Sequence, residues 1–173
     1  MDGQERRSAI ADTLRQAEGP VSASALASAF HVSRQAVVGD IALLRAAGAD
    51  ILATPRGYVL RPPFSGGFPR KIACRHDSAG MRAELEAIVD QGCTVLDVIV
   101  EHPLYGQLTG PLQLSSRYDV QQFLRRCADA QAHPLSDLTG GIHLHNLACP
   151  DNDAFLRVLQ SLRKLGILLE ESP

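Results

Sequence analysis

The sequence predicts an α+β protein built from two domains that a short linker joins. Residues 61–70, "RPPFSGGFPR", contain three prolines and two glycines, a composition that continues neither a helix nor a strand. Three helical patterns and a short hairpin precede this segment, whereas strands alternate with helices after it. We therefore expect a first domain over residues 1–62, a linker over residues 63–70 and a second domain over residues 71–173.

The composition is that of a folded globular protein, and its net charge does not indicate a nucleic-acid partner. The hydrophobic fraction is 45% and the formal net charge is −2. Residues 1–62 hold seven arginines and six acidic residues, so a DNA-binding domain here would depend on individually placed arginines. The four cysteines form no CxxC pair, the N-terminus is polar, and no apolar run approaches the ~20 residues that span a bilayer. We expect a soluble cytoplasmic protein with reduced thiols.

The first domain has the pattern of a winged helix-turn-helix, three helices followed by a two-stranded hairpin. Ile10 and Leu14 recur at helical spacing in the first helix, and residues 22–30 form the second. Ser33 is the expected N-cap of the third helix, and residues 50–60 form two short strands around a Pro-Arg-Gly turn. In such a fold the second helix supports the third, which enters the major groove of DNA.

The start of the third helix carries the side chains that are expected to contact DNA. Ser33, Arg34 and Gln35 lie where a recognition helix meets base edges and phosphates. Arginine pairs with guanine and glutamine with adenine, and a helix N-terminus suits a phosphate. Arg45 at the far end of this helix and Arg56 at the hairpin tip are the other predicted contacts. The alternatives are a helical bundle with surface arginines and a winged helix that contacts protein.

The second domain is predicted to be an α+β fold with a mixed or antiparallel sheet and helices on one face. Its expected strands are residues 70–76, 94–103, 140–149 and 167–171, with a turn and a further strand over residues 105–114, and its expected helices are residues 77–92, 115–130 and 151–166.

Five of the six histidines follow the linker, and three of them form a candidate metal site. His143 and His145 are two residues apart in a predicted strand, so both point to the same face. His76 ends the first strand of this domain, and Glu84 lies about two turns into the next helix. Three imidazoles and a carboxylate suit a divalent transition metal such as Zn, Ni, Co, Mn or Fe. The alternative is a solvated sheet edge, or histidines that bond neighbouring carbonyls.

His102 in "VEHPLYG" marks a possible small-molecule pocket where a predicted strand breaks at Pro103. Tyr105 and Arg117 could donate hydrogen bonds to an anionic ligand near it, although spacing alone does not choose among such donors. The alternative is an ordinary turn histidine.

The chain resembles the niacin-responsive transcriptional repressors of bacteria, which have a winged helix followed by a 3H domain. The resemblance is carried by "VSRQAVVGDIALLRAAGADILATPRGYVL" in the first domain and by "VIVEHPLYG" with "LTGGIHLH" in the second. It implies that nicotinic acid is the corepressor, that genes of NAD synthesis or niacin uptake are controlled, and that the protein is a homodimer. It also implies a divalent metal, Ni or Zn first, whose ligands are His76, Glu84, His143 and His145.

Two other functions compete with this interpretation. A metal held by three histidines and a carboxylate could activate water for hydrolysis, but no further carboxylate has a clear general-base position, so we expect no enzyme and no catalytic residues. The metal could also itself be the signal, as in a metal-responsive regulator. A departure from the family pattern is Gly39, which stands in the third helix where a longer polar residue is expected, so the operator sequence is not expected to follow from the family alone.

Overall fold

The computed structural model describes residues 2–60 and 67–170, which belong to two separate compact units. The division between the units falls within residues 61–66, so residues 63–66 of the predicted linker lie outside the described residues. Residues 68–70 begin a strand, which corrects the expectation that no strand runs through this segment. Pro69 is tolerated there because the strand lies at the edge of its sheet, where a missing N–H need not break the ladder.

The first unit has the three helices and the hairpin that the sequence predicts. Ser33 caps the third helix as expected and Ser22 caps the second, each accepting a hydrogen bond from the backbone N–H three residues later. The elements are α1 (Gly3–Gln16), α2 (Ala23–Ala29), α3 (Arg34–Ala46), β1 (Ile51–Thr54) and β2 (Gly57–Leu60), with β1 and β2 antiparallel.

The core of the first unit orients α3 by apolar contacts and by one ion pair. Ile10, Leu26 and Ile41 are completely or almost completely buried and join the three helices. Asp40, only 4% exposed, accepts a hydrogen bond of 2.6 Å from Arg6 Nε in α1. The sequence patterns did not predict this pair, which ties the first helix to the third.

The second unit is an α+β fold, as predicted, and its sheet is fully antiparallel, one of the two predicted arrangements, in the order β3-β6-β4-β5. Its elements are β3 (Phe68–Arg75), α4 (Met81–Val89), β4 (Thr94–His102), β5 (Gly106–Leu114), α5 (Arg117–Ala130), β6 (Ile142–Cys149) and α6 (Asn152–Lys164), with 3₁₀ helices at Ser78–Gly80 and Leu135–Thr139.

The predicted last strand, residues 167–171, is wrong. Residues 167–169 make two backbone hydrogen bonds to β3 and a single bridge between Leu168 and Cys74, which is too little pairing for a strand. Residue 171 lies outside the described residues.

The helices α4, α5 and α6 pack on one face of this sheet, as predicted. Leu85, Val120 and Leu162 from the helices share one buried cluster with Val95 and Leu147 from the strands. No helix among the described residues is long and apolar enough to cross a membrane.

The strand directions bring three histidine motifs, which are His76, His102 and the His143/His145 pair, to one end of the sheet. Both β3 and β4 run antiparallel to β6, so the ends of β3 and β4 meet the start of β6. His76 follows β3, His102 ends β4, and His143 is the second residue of β6. We call this end of the sheet, where β3 and β4 end and β6 begins, the histidine edge.

Candidate functional site

The four predicted metal ligands converge at the histidine edge, where an Nε2 atom of each histidine lies within 3.5 Å of the Glu84 carboxylate. Glu84 lies at the centre, with Oε2 2.6 Å from Nε2 of His76 and Oε1 3.0 Å from Nε2 of His143. Nε2 of His145 is 3.5 Å from Oε2 of the same carboxylate. All four side chains are at most 6% exposed, so the cluster is screened from bulk water.

Local structure explains why these side chains meet. Asp77 accepts hydrogen bonds from the backbone N–H groups of Ala79 and Gly80, which turns the chain sharply after β3. The turn sends α4 back across the sheet, so Glu84 faces the strands. His143 and His145 share the buried face of β6 because side chains alternate along a strand.

Each of the three imidazoles is held by a backbone carbonyl through its other ring nitrogen. The Nδ1 atoms of His76, His143 and His145 lie 2.5, 2.9 and 2.5 Å from the carbonyl oxygens of Asp77, Gly141 and Asp97 respectively. A carbonyl only accepts, so each Nδ1 donates its proton and the neutral ring presents the Nε2 lone pair to Glu84. This outer hydrogen bond is characteristic of histidines that bind metals.

Three lone pairs facing a buried carboxylate require a cation among them. Either protons on the imidazoles or a metal ion can supply the positive charge. Nε2 of His145 is buried without a hydrogen-bond partner in the described part of the chain, although it faces the cluster. The donor set of three nitrogens and a carboxylate fits a divalent transition metal, which would supply a Lewis-acidic position for a ligand.

The pKa shifts agree with this mutual stabilisation of opposite charges. Burial alone would raise the pKa of Glu84, but the imidazoles of His143, His145 and His76 hold it well below its ordinary value. Burial opposes protonation of His76 and His145, yet the Glu84 carboxylate raises the pKa of both rings.

Two residues near the cluster were missed by sequence reasoning. Cys74 is completely buried, and its Sγ, a Glu84 oxygen and a His143 nitrogen lie within 4.8 Å of one another. Burial and then the charge of Glu84 raise the pKa of this thiol. Alternation along β3 could have placed Cys74 on the buried face. Asp97 carries the carbonyl that holds His145, at a register shift in β4 that periodicity does not reveal.

Gly141 supports the cluster through its backbone, because its carbonyl accepts hydrogen bonds from His76 N and from Nδ1 of His143. Its φ is +90°, and a Cβ added there would lie 2.3 Å from the His76 carbonyl oxygen.

We expect Gly141→Ala to lower both the stability of the second unit and the occupancy of the candidate metal site, because the added Cβ must displace the backbone of His76. Gly166→Ala is the matched control: its φ is +68°, but a Cβ there meets nothing within 4 Å. The control therefore carries only the conformational cost of about 1–2 kcal/mol. Urea unfolding midpoints and metal analysis compare the two variants. Equal metal content in both would contradict the role of Gly141.

The predicted effector residues do not all come together. His102 ends β4 and Tyr105 lies in the β4–β5 turn, and their rings are 5.0 Å apart. Arg117 follows β5 and therefore lies at the opposite edge of the sheet from His102. Its guanidinium donates to both oxygens of Asp90 at 2.7 and 2.6 Å, which lowers the pKa of that carboxyl group.

A cleft of about 440 Å³ opens beside the cluster at the histidine edge. His76 belongs to both the cluster and the cleft, and Arg75 lines the cleft as a cation. Asp77 and Asp137 also line it, and their carboxylates oppose the binding of an anion. The remaining lining residues are Gly140 and Gly141.

The predicted DNA-contacting residues at the start of α3 are exposed. Ser33 caps the helix, and Arg34 and Gln35 follow it on the surface. Gly39 lies one turn beyond Gln35 and is exposed as well, and a Cβ there would meet nothing within 4 Å. Packing within the first unit therefore does not require glycine at this position.

The two other predicted DNA contacts are placed differently. Arg45 donates from Nε to the carbonyl oxygen of Ile51 at 2.8 Å, and its guanidinium carbon lies 5.9 Å from the centre of the Tyr58 ring. These contacts join α3 to the hairpin. Arg56 lies in the turn between β1 and β2, as predicted, where its backbone N–H donates to Thr54 Oγ1.

Comparison with known proteins covers both units. Residues 69–171 match the family model of the 3H domain, and residues 6–59 match an HTH domain. The chain is 42% identical over 168 residues to the probable transcription repressor NiaR of Thermotoga maritima. This alignment covers 97% of this chain and 95% of that protein. It is 38% identical over 172 residues to the transcription repressor NadR of Bacillus subtilis. That alignment covers 98% of this chain and 96% of the relative.

Proposed function

Because the chain belongs to the 3H-domain family of transcription repressors, we propose that it represses genes of NAD synthesis or niacin uptake in response to nicotinic acid. A divalent transition metal, Ni or Zn first, is bound by His76, Glu84, His143 and His145 in the second domain. The protein acts as a cytoplasmic homodimer, since two operator half-sites require two recognition helices. Family membership argues against the hydrolase alternative, and the protein is not an enzyme.

The observation that carries the metal proposal is the shared orientation of the three imidazoles. Each is locked by a carbonyl at Nδ1 and presents Nε2 to the same buried carboxylate. Histidines that only filled a core would not need to direct all three remaining nitrogens to one point. The unpartnered Nε2 of His145 supports the same conclusion.

The cleft beside His76 is the proposed position of the effector. Nicotinate carries a carboxylate and a ring nitrogen, and either could meet the open position of the metal. Arg75 is suited to the carboxylate, whereas Arg117 is paired with Asp90 at the opposite edge. The two acidic residues of the cleft would repel an anion without the metal, so effector binding should depend on the metal. His102 and Tyr105 remain proposed neighbours of the effector at this edge.

The first domain would read the operator with Ser33, Arg34 and Gln35 at the start of α3, and with Arg56 in the wing. Arg45 instead has a proposed structural role, because its contacts join α3 to the hairpin. Nicotinic acid represses transcription if it binds the DNA-competent arrangement of the dimer more tightly than the other arrangement.

A DNA-retardation panel tests this function with a duplex selected from a random library by the metal-loaded protein in nicotinic acid. Nicotinic acid should tighten binding by about 5- to 150-fold, the usual range of coupling, and only when metal is present. Nicotinamide, which lacks the carboxylate, should have less effect. Arg75→Ala should raise the nicotinic acid concentration required without changing metal content. Tightening by metal alone would favour a metal-responsive regulator, and no effect of nicotinic acid would overturn the proposal.

A further inference from the structure

We propose that Cys74 supplies a sulfur ligand to the metal ion, in addition to the three histidines and Glu84. This inference rests on the proposed metal site and extends it by a residue outside the histidine motifs. A site with a sulfur ligand is softer than a site built of nitrogen and oxygen ligands alone. The inference therefore predicts a different order of metal preference.

The position of Cys74 in the sheet is the first support. Cys74 pairs directly with His143 across β3 and β6, so the two side chains stand next to each other on the face that α4 covers. The next residue of β3 on that face is Ile72, which pairs with His145. Cys74 is therefore the β3 residue whose side chain places a ligand atom beside the cluster.

Distances within the cluster are the second support. Atoms that bind one ion at 2.0–2.3 Å must lie within about 4.6 Å of one another. The Sγ of Cys74, a carboxylate oxygen of Glu84 and a ring nitrogen of His143 all lie within 4.8 Å of one another, so a shift of a few tenths of an ångström brings them to this spacing. Nε2 of His145 lies 3.5 Å from the Glu84 carboxylate on a side chain only 3% exposed, yet it has no hydrogen-bond partner among the described residues, which is an independent sign that a ligand belongs here.

Charge is the third support. A buried site is least costly when its charges cancel. Glu84 and a Cys74 thiolate carry two negative charges, and three neutral imidazoles add none, so a divalent ion would make the site neutral. The S–H bond breaks as the bond from sulfur to metal forms, and the proton leaves to the solvent.

The other cysteines are placed differently and serve as controls. The Sγ atoms of Cys93 and Cys149 are 2.8 Å apart, and both residues are completely buried. Cys127 is half-buried on α5. Among the described residues, none of these three cysteines forms a set of close ligand atoms with Glu84 and His143, as Cys74 does.

The experiment is the absorption spectrum of the full-length protein loaded with Co²⁺. We expect visible d–d bands together with an intense near-ultraviolet band from thiolate-to-cobalt charge transfer. Cys74→Ser should lose the near-ultraviolet band and keep the visible bands, whereas Cys127→Ser should keep both. His145→Ala should lose or strongly weaken both, which assigns the signal to this site. If Cys74→Ser does not fold, Cys74→Ala takes its place, and a wild-type spectrum without the near-ultraviolet band still overturns the proposal.

The outcomes separate this inference from the proposed function. Visible bands without a charge-transfer band would overturn the sulfur ligand and leave the four-ligand site intact. A charge-transfer band that persists in Cys74→Ser would also overturn it, because another thiol must then bind the cobalt. Absence of any cobalt spectrum would overturn the metal site itself.

Metal preference provides a second readout. Cys74→Ser should weaken Cd²⁺ binding by about tenfold or more and Mn²⁺ binding much less, because only Cd²⁺ gains strongly from sulfur. Equal losses for the two ions would show that the thiol acts only by hydrogen bonding to Glu84, which contradicts direct binding.

Discussion

Glu84→Gln is expected to weaken metal binding by more than about 100-fold and to abolish the response of operator binding to nicotinic acid. The substitution keeps the size of the side chain but removes the negative charge on which three imidazoles converge. Loss of an outer partner of a metal ligand already costs about 10- to 100-fold in affinity, so loss of a charged ligand should cost more. Metal analysis after dialysis and DNA retardation with nicotinic acid measure the two effects.

Glu86→Gln is the matched control, since it removes the same charge from the same helix. Glu86 faces Arg82 and Arg117 instead of the cluster, at 3.3 and 3.6 Å. It should keep full metal content and a full response. His143→Ala should reproduce the loss seen in Glu84→Gln, while circular dichroism shows that the winged helix stays folded. Full metal occupancy in both Glu84→Gln and His143→Ala would falsify the proposed ligand set.

Arg34→Ala is expected to reduce operator affinity by about 5- to 150-fold, the equivalent of 1–3 kcal/mol for one bidentate contact to guanine. Arg34 is exposed at the first position of α3, directly after the Ser33 cap, where a recognition helix approaches the bases. If Arg34 contacts a base, the loss should be greatest for the selected duplex and specificity should relax at one position. If it contacts a phosphate, all sequences should lose affinity and the salt dependence should weaken.

Arg15→Ala makes the same change of charge on another helix of the first unit. Arg15 is 62% exposed and pairs with Asp12 in α1, so its removal alters net charge without altering the start of α3. We expect little change in operator affinity. Equal losses in Arg15→Ala and Arg34→Ala would indicate that bulk charge, and not the face of α3, controls binding.

Local patterns were sufficient to predict most of the fold. Helical spacing and serine caps placed the helices of the first unit, and alternation placed His143 and His145 on one face. These features depend on residues near one another in the chain, which periodicity and capping describe directly. The failed strand at residues 167–171 shows the limit, because its apolar residues lack a fully paired neighbour.

Contacts between distant residues were beyond such patterns. The bonding of Arg117 to Asp90, and its separation from His102, follow from the order and direction of the strands. The contact of Arg45 with Ile51 depends on how α3 packs against the hairpin. No spacing rule along the chain encodes these distances, since each joins elements whose packing arises only on folding.

The sequence by itself determined which residues could form the site, because strand alternation and helical spacing depend on neighbours along the chain. It placed His143 beside His145 and put Glu84 within reach of His76. Tertiary structure alone decided how their atoms are used: which carbonyl fixes each imidazole, and that Cys74 stands beside His143. The physical reason is that pairing register and helix packing are set by the whole core, so the direction of each ligand atom is a property of the fold.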